Sequence, residues 1–378
     1  MNLFSKKRIN LDYASGGENP SAIYKEGVEV KRKLETARTK IARVLGVQSR
    51  DIIFTSGGTE SNNLALLGVF NAVKTPSVWN PLTLGVERPH FIISSLEHSA
   101  ITECAEEIVR RGGDVTIVSA DETGRVNPQE VLKNIKPNTV LVSIVYASNE
   151  IGTIQPIHKI SRLINEYKKE HETNFPYFHT DASQAGKYLS LQISSLGVDL
   201  MTLDASKVEG PKGSGLLVVR PNVNVAPIIF GGGQERGLRS GTENVEAIVQ
   251  FAEALESAQN NRTKESERLF KLRDYFIEEI SKNFPRATIN GGAATASRGV
   301  PPSAVKETLP NIVSITFPKQ LAEFMAIKLD QNGIMVSVGS SCDSNKRELE
   351  KEAIRFSFGE KTTPKDLEKT IYILKKMC

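Results

Sequence analysis

The sequence predicts an α/β fold, a large domain with a mostly parallel sheet plus a smaller α+β domain, and three observations predict it. From Pro89 onward, short apolar runs of strand length alternate with amphipathic helical stretches, the pattern of a parallel sheet covered by helices. Two ionisable residues, Asp181 and Lys207, each stand just past such a run, at the strand ends where ligands sit in open sheets of this kind. A long helical pattern from about Val245 to Phe284, rich in charge between Gln259 and Arg273, leads out of the sheet into a second set of elements.

Taken in order, Val30, Leu34, Ala37, Ile41 and Val44 recur at helical spacing until Gly46 stops them. The run from His90 to Ser94 reads as a strand. Ile101, Cys104, Ala105 and Ile108 mark a helix face, and Val115 to Val118 and Val140 to Tyr146 read as strands. Ile157, Ile160, Leu163, Ile164 and Tyr167 share the next helix face, ahead of strand-like runs ending at Asp181, near Asp204 and at Arg220. The second domain reads as a strand (311–317), a helix (320–331), two strands (334–338 and 353–358) and a last helix opened by Thr363 and Pro364. Two stretches rich in glycine and proline, 74–89 and 291–310, read as surface loops.

With 378 residues, and about 150 residues per domain, two domains are expected. The net charge of +4 arises from 48 basic and 44 acidic residues spread along the chain, so no footprint for nucleic acid or an anionic membrane stands out. The opening residues lack the apolar stretch of a signal peptide, and no apolar run approaches the roughly 18 residues of a spanning helix. A cytoplasmic location is the expectation. Cys104, Cys342 and Cys378 are odd in number and far apart, which suits neither a disulfide framework nor a zinc site.

Asp181 ends Tyr177-Phe178-His179-Thr180-Asp181, and Lys207 follows it by 26 residues at the end of the next run. A charge just past a buried strand is expensive to desolvate. Enzymes that hold pyridoxal phosphate need two such groups, a carboxylate on the pyridinium nitrogen and a lysine that condenses with the aldehyde. The pair reads equally as a helix cap and a solvated loop lysine. Phe54-Thr55-Ser56-Gly57-Gly58-Thr59 lies between a strand and a helix, where amides and hydroxyls converge as a phosphate needs, or simply cap a loop. His98 follows a strand and suits stacking on a flat cofactor, while Asn149 and Gln184 follow the next strands and read as polar contacts or as turn residues. Gly231 to Thr242 combines flexible backbone with Arg236 and Arg239, the equipment of an anion-binding loop or of a mobile surface segment. Cys342 sits in a Gly/Ser loop, an exposed setting suited to a nucleophile, and Arg355 sits in a strand where burial demands an anionic partner.

Leu11-Asp12-Tyr13, Phe54 to Ser61, Glu97-His98, Asn149 to Gly152, Asp181-Ala182-Ser183-Gln184, Lys207, Gly231 to Thr242, Gly339 to Cys342 and Ile354 to Ser357, in this order across nearly the whole chain, resemble the cysteine desulfurases of the NifS/IscS type. The resemblance implies the pyridoxal-phosphate-dependent transferase fold of type I, aspartate-aminotransferase-like, in the class-V group. It implies a large cofactor domain at 17–250 and a small domain at 1–16 and 251–378 that carries the cysteine loop. A homodimer with a shared active site is implied, along with pyridoxal 5'-phosphate as cofactor and L-cysteine as substrate.

By the same resemblance Lys207 is the lysine bonded to the cofactor, Asp181 the pyridinium partner and His98 the ring-stacking acid/base. Gln184 meets the cofactor hydroxyl, and Gly58, Thr59, Ser206 and the neighbouring subunit's Thr242 hold the phosphate. Asn149, a cofactor contact, and Arg355 receive the substrate carboxylate, and Cys342 accepts the sulfur. Alanine is the other product, and the sulfur goes to a sulfur-acceptor or iron-sulfur scaffold protein for cluster assembly or thiolation. Selenocysteine lyase or another class-V enzyme is the alternative, then a non-catalytic scaffold of the same fold. Two departures stand out. Asp204-Ala205-Ser206 replaces the family's usual Ser-Gly-His before the lysine, removing a histidine and adding a carboxylate near the phosphate, and only 12 residues separate Cys342 from Arg355.

Overall fold

The computed structural model describes residues 9–16, 19–74, 87–292, 307–339 and 353–377. Its larger sheet has seven strands: β1 (Ile52–Thr55), β2 (His90–Ser94), β3 (Asp114–Val118), β4 (Thr139–Ser143), β5 (Tyr177–Asp181), β6 (Leu200–Asp204) and β7 (Gly215–Val219). They lie in the order β1-β7-β6-β5-β4-β2-β3. The strands from β6 to β3 pair in parallel, and β7 runs against both of its neighbours. Every residue of β2, β4 and β5 is buried, as expected of parallel strands covered on both faces.

Side chains alternate across the strands and so divide into two cores. Ile92, Val142, Phe178, Met201 and Val218 face one side, where they meet α1 (Lys25–Leu45), α5 (Ile157–Glu170) and the first half of α7 (Val245–Asn283). Phe91, Ile93, Leu141, Tyr177 and Leu217 face the other side, against α2 (Gly58–Lys74) and α3 (Ser99–Arg110). The short helices α4 (Pro128–Lys133) and α6 (Ile193–Leu196) complete the cover. As the pattern predicts, α1 stops at Gly46, whose φ of 68° closes the helix in the left-handed conformation.

The second sheet, in the order β10-β11-β9-β8, is antiparallel: β8 (Thr288–Ile289), β9 (Ile312–Thr316), β10 (Ser337–Val338) and β11 (Ala353–Ser357). It packs with α8 (Ala322–Gln331) and α9 (Pro364–Met377) around Phe276, Val313, Ile315, Leu329 and Ile354. α7 serves both cores. Its residues Ile248, Phe251 and Leu255 belong to the first, and Leu269, Phe276 and Ile280 to the second. No α7 residue between Leu255 and Leu269 is buried. At 39 residues, the helix is about 58 Å long. No helix among the described residues is long and apolar enough to cross a membrane.

One strand is shorter than its sequence suggests. Of the apolar run from Val140 to Tyr146, only the part up to Ser143 is regular strand, although the Ile144 and Tyr146 N–H groups still donate to the His179 and Asp181 carbonyls of β5 at 3.1 and 2.9 Å. The Val145 N–H is taken by the Glu97 carboxyl at 2.7 Å.

Candidate active site

A cavity of about 470 Å³ opens where the carboxyl ends of β2, β4, β5 and β6 meet the start of α2, with β9 and β11 closing the far wall. It brings together Gly58 and Thr59 from the start of α2, His98 from beyond β2, Asn149 from beyond β4, and Asp181 and Gln184 from the end of β5. Ser206 and Lys207 join them from beyond β6, and Arg355 from β11. The parallel register explains the convergence, because Asp181 is paired with Thr202 and both chains then turn off the same edge.

Asp181 is the most firmly held of these groups. It is buried, its Oδ2 accepts from Asn62 Nδ2 at 2.7 Å, and its Oδ1 accepts from the Ser183 N–H at 2.9 Å. On the same strand, the ring of His179 bridges Ser143 Oγ at 2.9 Å and Thr202 Oγ1 at 3.1 Å. Burial pulls the His179 pKa down to about 4, against the opposing charge of Asp181. The ring is therefore neutral, and the carboxylate charge at this end of the cavity is left for a ligand.

Lys207 differs from the expectation that its charge is desolvated at a buried strand end. It is exposed toward the cavity. A 3-10 turn at Ala205–Val208 buries Ala205 and Val208 and turns Lys207 outward. Asp204 caps this turn. Its Oδ1 accepts from the Ser206 N–H at 2.8 Å and the Ser206 hydroxyl at 2.6 Å, and its Oδ2 accepts from the Gly58 N–H at 2.9 Å. Close backbone packing fixes this corner, since a Cβ on Gly215 would lie 2.6 Å from Gly57 Cα.

His98 caps α3. Its Nδ1 accepts from the Ala100 N–H at 3.1 Å, which leaves the proton of the neutral ring on Nε2. The neighbouring Glu97 is buried and receives Ser94 Oγ at 2.5 Å and the Val145 N–H at 2.7 Å on one oxygen. Burial pushes its carboxyl up to about 8 in spite of those hydrogen bonds, and the charge of Asp181 adds to the rise.

Across the cavity, Arg355 donates from Nη1 to the Asn149 carbonyl at 2.9 Å and from Nη2 to Ser337 Oγ at 3.0 Å. Its buried Nε has no hydrogen-bond partner among the described residues. Burial lowers its pKa, with Glu150 pulling the other way. The guanidinium thus joins the second sheet to the loop beyond β4 and keeps its Nε–H in reserve.

One expected residue does not join the lining and another cannot be placed. Thr242 is exposed and does not line the cavity of its own chain. Cys342 lies outside the described residues. The two guanidiniums of the 231–242 loop are already engaged by protein groups: Arg239 pairs with Glu60 in the first turn of α2 at 2.9 Å, and Arg236 reaches the Ile52 carbonyl at 3.4 Å. The loop is tied down by Glu235, which takes Arg38 on both oxygens at 2.7 and 2.8 Å and the Phe54 N–H at 2.9 Å.

Sequence reasoning missed Asn62, Ser183 and Asn311, all of which line the cavity. Each has a buried polar atom with no partner among the described residues: Asn62 Oδ1, Ser183 Oγ and Asn311 Oδ1. Such orphans beside an oriented carboxylate and an accessible amine suit a flat polar ligand with a basic ring nitrogen and an aldehyde, so the ring end of the cavity fits pyridoxal phosphate. The only signal for Asn62 was its position one helical turn beyond Gly58.

Comparison with known proteins identifies the family. A family model for aminotransferase class-V matches residues 7–370, and the chain belongs to that family. Its sequence is 37% identical over 372 residues to a cysteine desulfurase IscS of Dictyoglomus turgidum, covering 95% of this chain and 87% of the relative. A solved NifS-like protein superposes with a TM-score of 0.83 at 31% identity, covering 97% and 92% of the two chains. SspA in complex with cysteine superposes at 0.68 with 28% identity, covering 92% and 93%. Within the class-V family, the chain belongs to the cysteine desulfurases of the IscS/NifS type, with the type I fold of pyridoxal phosphate enzymes.

Proposed function

We propose that this chain converts L-cysteine to L-alanine and passes the sulfur to Cys342, with pyridoxal 5'-phosphate held between Lys207 and Asp181. The observation that supports it most is that these two residues, at the ends of adjacent parallel strands, line one cavity. When bound, the cofactor supplies an electron sink for the carbon next to the substrate amine. The rest falls to the chain. Asp181, fixed by Asn62 and the Ser183 amide, keeps the ring nitrogen protonated. Gln184 would meet the ring hydroxyl, and His98, with its proton on Nε2, would supply a proton donor beside the ring.

Arg355 and Asn149 receive the substrate carboxylate, for which Arg355 Nε is the free donor. Lys207 Nζ removes the proton from the substrate α carbon. The Cys342 thiolate then attacks the substrate sulfur, the carbon-sulfur bond breaks with its electron pair left on carbon, that carbon takes a proton, and Lys207 returns a proton to the α carbon to complete alanine. Cys342 is left as a persulfide, one sulfur heavier. Gly58, Thr59, Ser206 and, in a homodimer, Thr242 of the partner subunit hold the phosphate, and a sulfur-acceptor or iron-sulfur scaffold protein collects the sulfur.

Mass spectrometry of the protein after incubation with L-cysteine tests this reading. One added sulfur on the peptide containing Cys342 is expected, absent in Lys207→Ala. Sulfide release that persists in Cys342→Ala would refute the role given to Cys342.

A further inference from the structure

We propose that Asp204 is a resident anion in the phosphate seat and a built-in competitor for the cofactor phosphate, so that this protein gains unusually little affinity from the phosphate. The inference rests on the cofactor reading above and concerns one end of that site. Of the donors assigned to the phosphate, the Gly58 amide points at Asp204 Oδ2 at 2.9 Å, and the Ser206 hydroxyl gives its one proton to Asp204 Oδ1 at 2.6 Å. The Ser206 amide is taken as well, at 2.8 Å. The carboxylate therefore sits at the start of α2, where an anion is best stabilised.

Geometry makes the seat hard to share. A Cβ added to Gly58 would lie 3.5 Å from Asp204 Oδ2 and 3.4 Å from Ser183 Oγ, so the carboxylate and the unpartnered serine hydroxyl flank the same small space. A phosphate entering there must displace Asp204 from Gly58 and Ser206, or accept a like charge within contact distance. Either course weakens binding of the phosphorylated aldehyde and leaves pyridoxal, which lacks the phosphate, untouched. Ser183 Oγ, which has no other partner among the described residues, becomes the donor that the phosphate can reach first.

The test is a spectral titration of cofactor-free protein with pyridoxal phosphate and, separately, with pyridoxal, reading the yellow colour of the bound aldehyde. Asp204→Asn keeps one acceptor oxygen, enough for the Ser206 pair, and removes both the charge and the second acceptor, which frees the Gly58 N–H. It should tighten pyridoxal phosphate about tenfold or more, the effect of relieving one close like charge, and shift pyridoxal by less than about twofold. Inorganic phosphate should compete with pyridoxal phosphate better in the variant than in the wild type. Unchanged or weaker binding of pyridoxal phosphate in Asp204→Asn overturns the inference while leaving the cofactor reading intact. Should that variant not fold, Asp204→Ser is titrated instead and decided by the same two results. A wild type that stays colourless with both aldehydes overturns the cofactor reading and this inference with it.

Discussion

Asn62 Nδ2 donates to Asp181 Oδ2 at 2.7 Å, a contact between the first turns of α2 and the end of β5 that joins residues 119 apart in sequence. Asn62 is only 1% exposed and Asp181 9%, so the bond lies away from bulk solvent. The bond, with that from the Ser183 N–H, holds the carboxylate at the end of β5 by donors from two different elements.

Asn62→Ala removes that support. It should lower stability by about 1–3 kcal/mol, measured by urea unfolding, and should weaken uptake of pyridoxal phosphate because Asp181 is no longer oriented. Asn62→Asp should be worse on both counts, since it sets a second carboxylate against the first.

The pair Arg38 and Glu235 is nearly sealed, with side chains 8% and 1% exposed. Arg38→Met leaves Glu235 buried without its cation and should destabilise the protein by about 3–5 kcal/mol. Glu235→Gln should cost less, because an amide oxygen still accepts the Phe54 N–H. Urea midpoints of the two variants compare them directly, and equal losses would contradict the account.

Glu97 sets a stability slope on the alkaline side. Its folded carboxyl titrates at about 8 against an ordinary value of 4.5, so between these values the folded state holds a proton that the unfolded chain has lost. Its contribution is full below about pH 4.5 and is lost as the pH rises toward 8. Glu97→Gln should therefore gain stability relative to the wild type on going from pH 5 to pH 8, measured by unfolding at each pH.

His179 sets the opposite slope. Its folded pKa of about 4 lies below the ordinary 6.5, so the unfolded chain takes up a proton first as the pH falls. Stability should decline between about pH 6.5 and 4, with His90, also lowered by burial to about 4, adding to the decline. His179→Asn should flatten that part of the curve.

Much of this was readable from residue order. Strands ending at Asp181 and near Lys207, and the helix from Val245, follow from apolar periodicity, and a parallel sheet sends its strand ends to one edge. Other features depend on contacts that no local pattern encodes. Asp204 meets Gly58 across 146 residues, and Asn62 meets Asp181 across 119. The outward turn of Lys207 depends on which neighbours of a four-residue turn the core accepts, Ala205 and Val208 rather than the lysine. Arg236 and Arg239 looked free to bind an anion because Glu60 and the Ile52 carbonyl are far away in sequence.

The shared helix α7 also limits how the cavity can change shape. One rod is anchored in both cores, and its middle, between Leu255 and Leu269, is held by polar contacts instead: Gln259 Nε2 donates to the Gly186 and Leu189 carbonyls at 2.7 and 2.9 Å, and Arg268 donates to the Gly359 and Thr362 carbonyls at 2.8 and 2.9 Å. The second sheet is thus carried on the same continuous helix as the first, so a substitution that breaks α7 midway is expected to displace Arg355 relative to Lys207. The spacing of the cavity walls is thereby set in part by a helix some distance from the atoms that react.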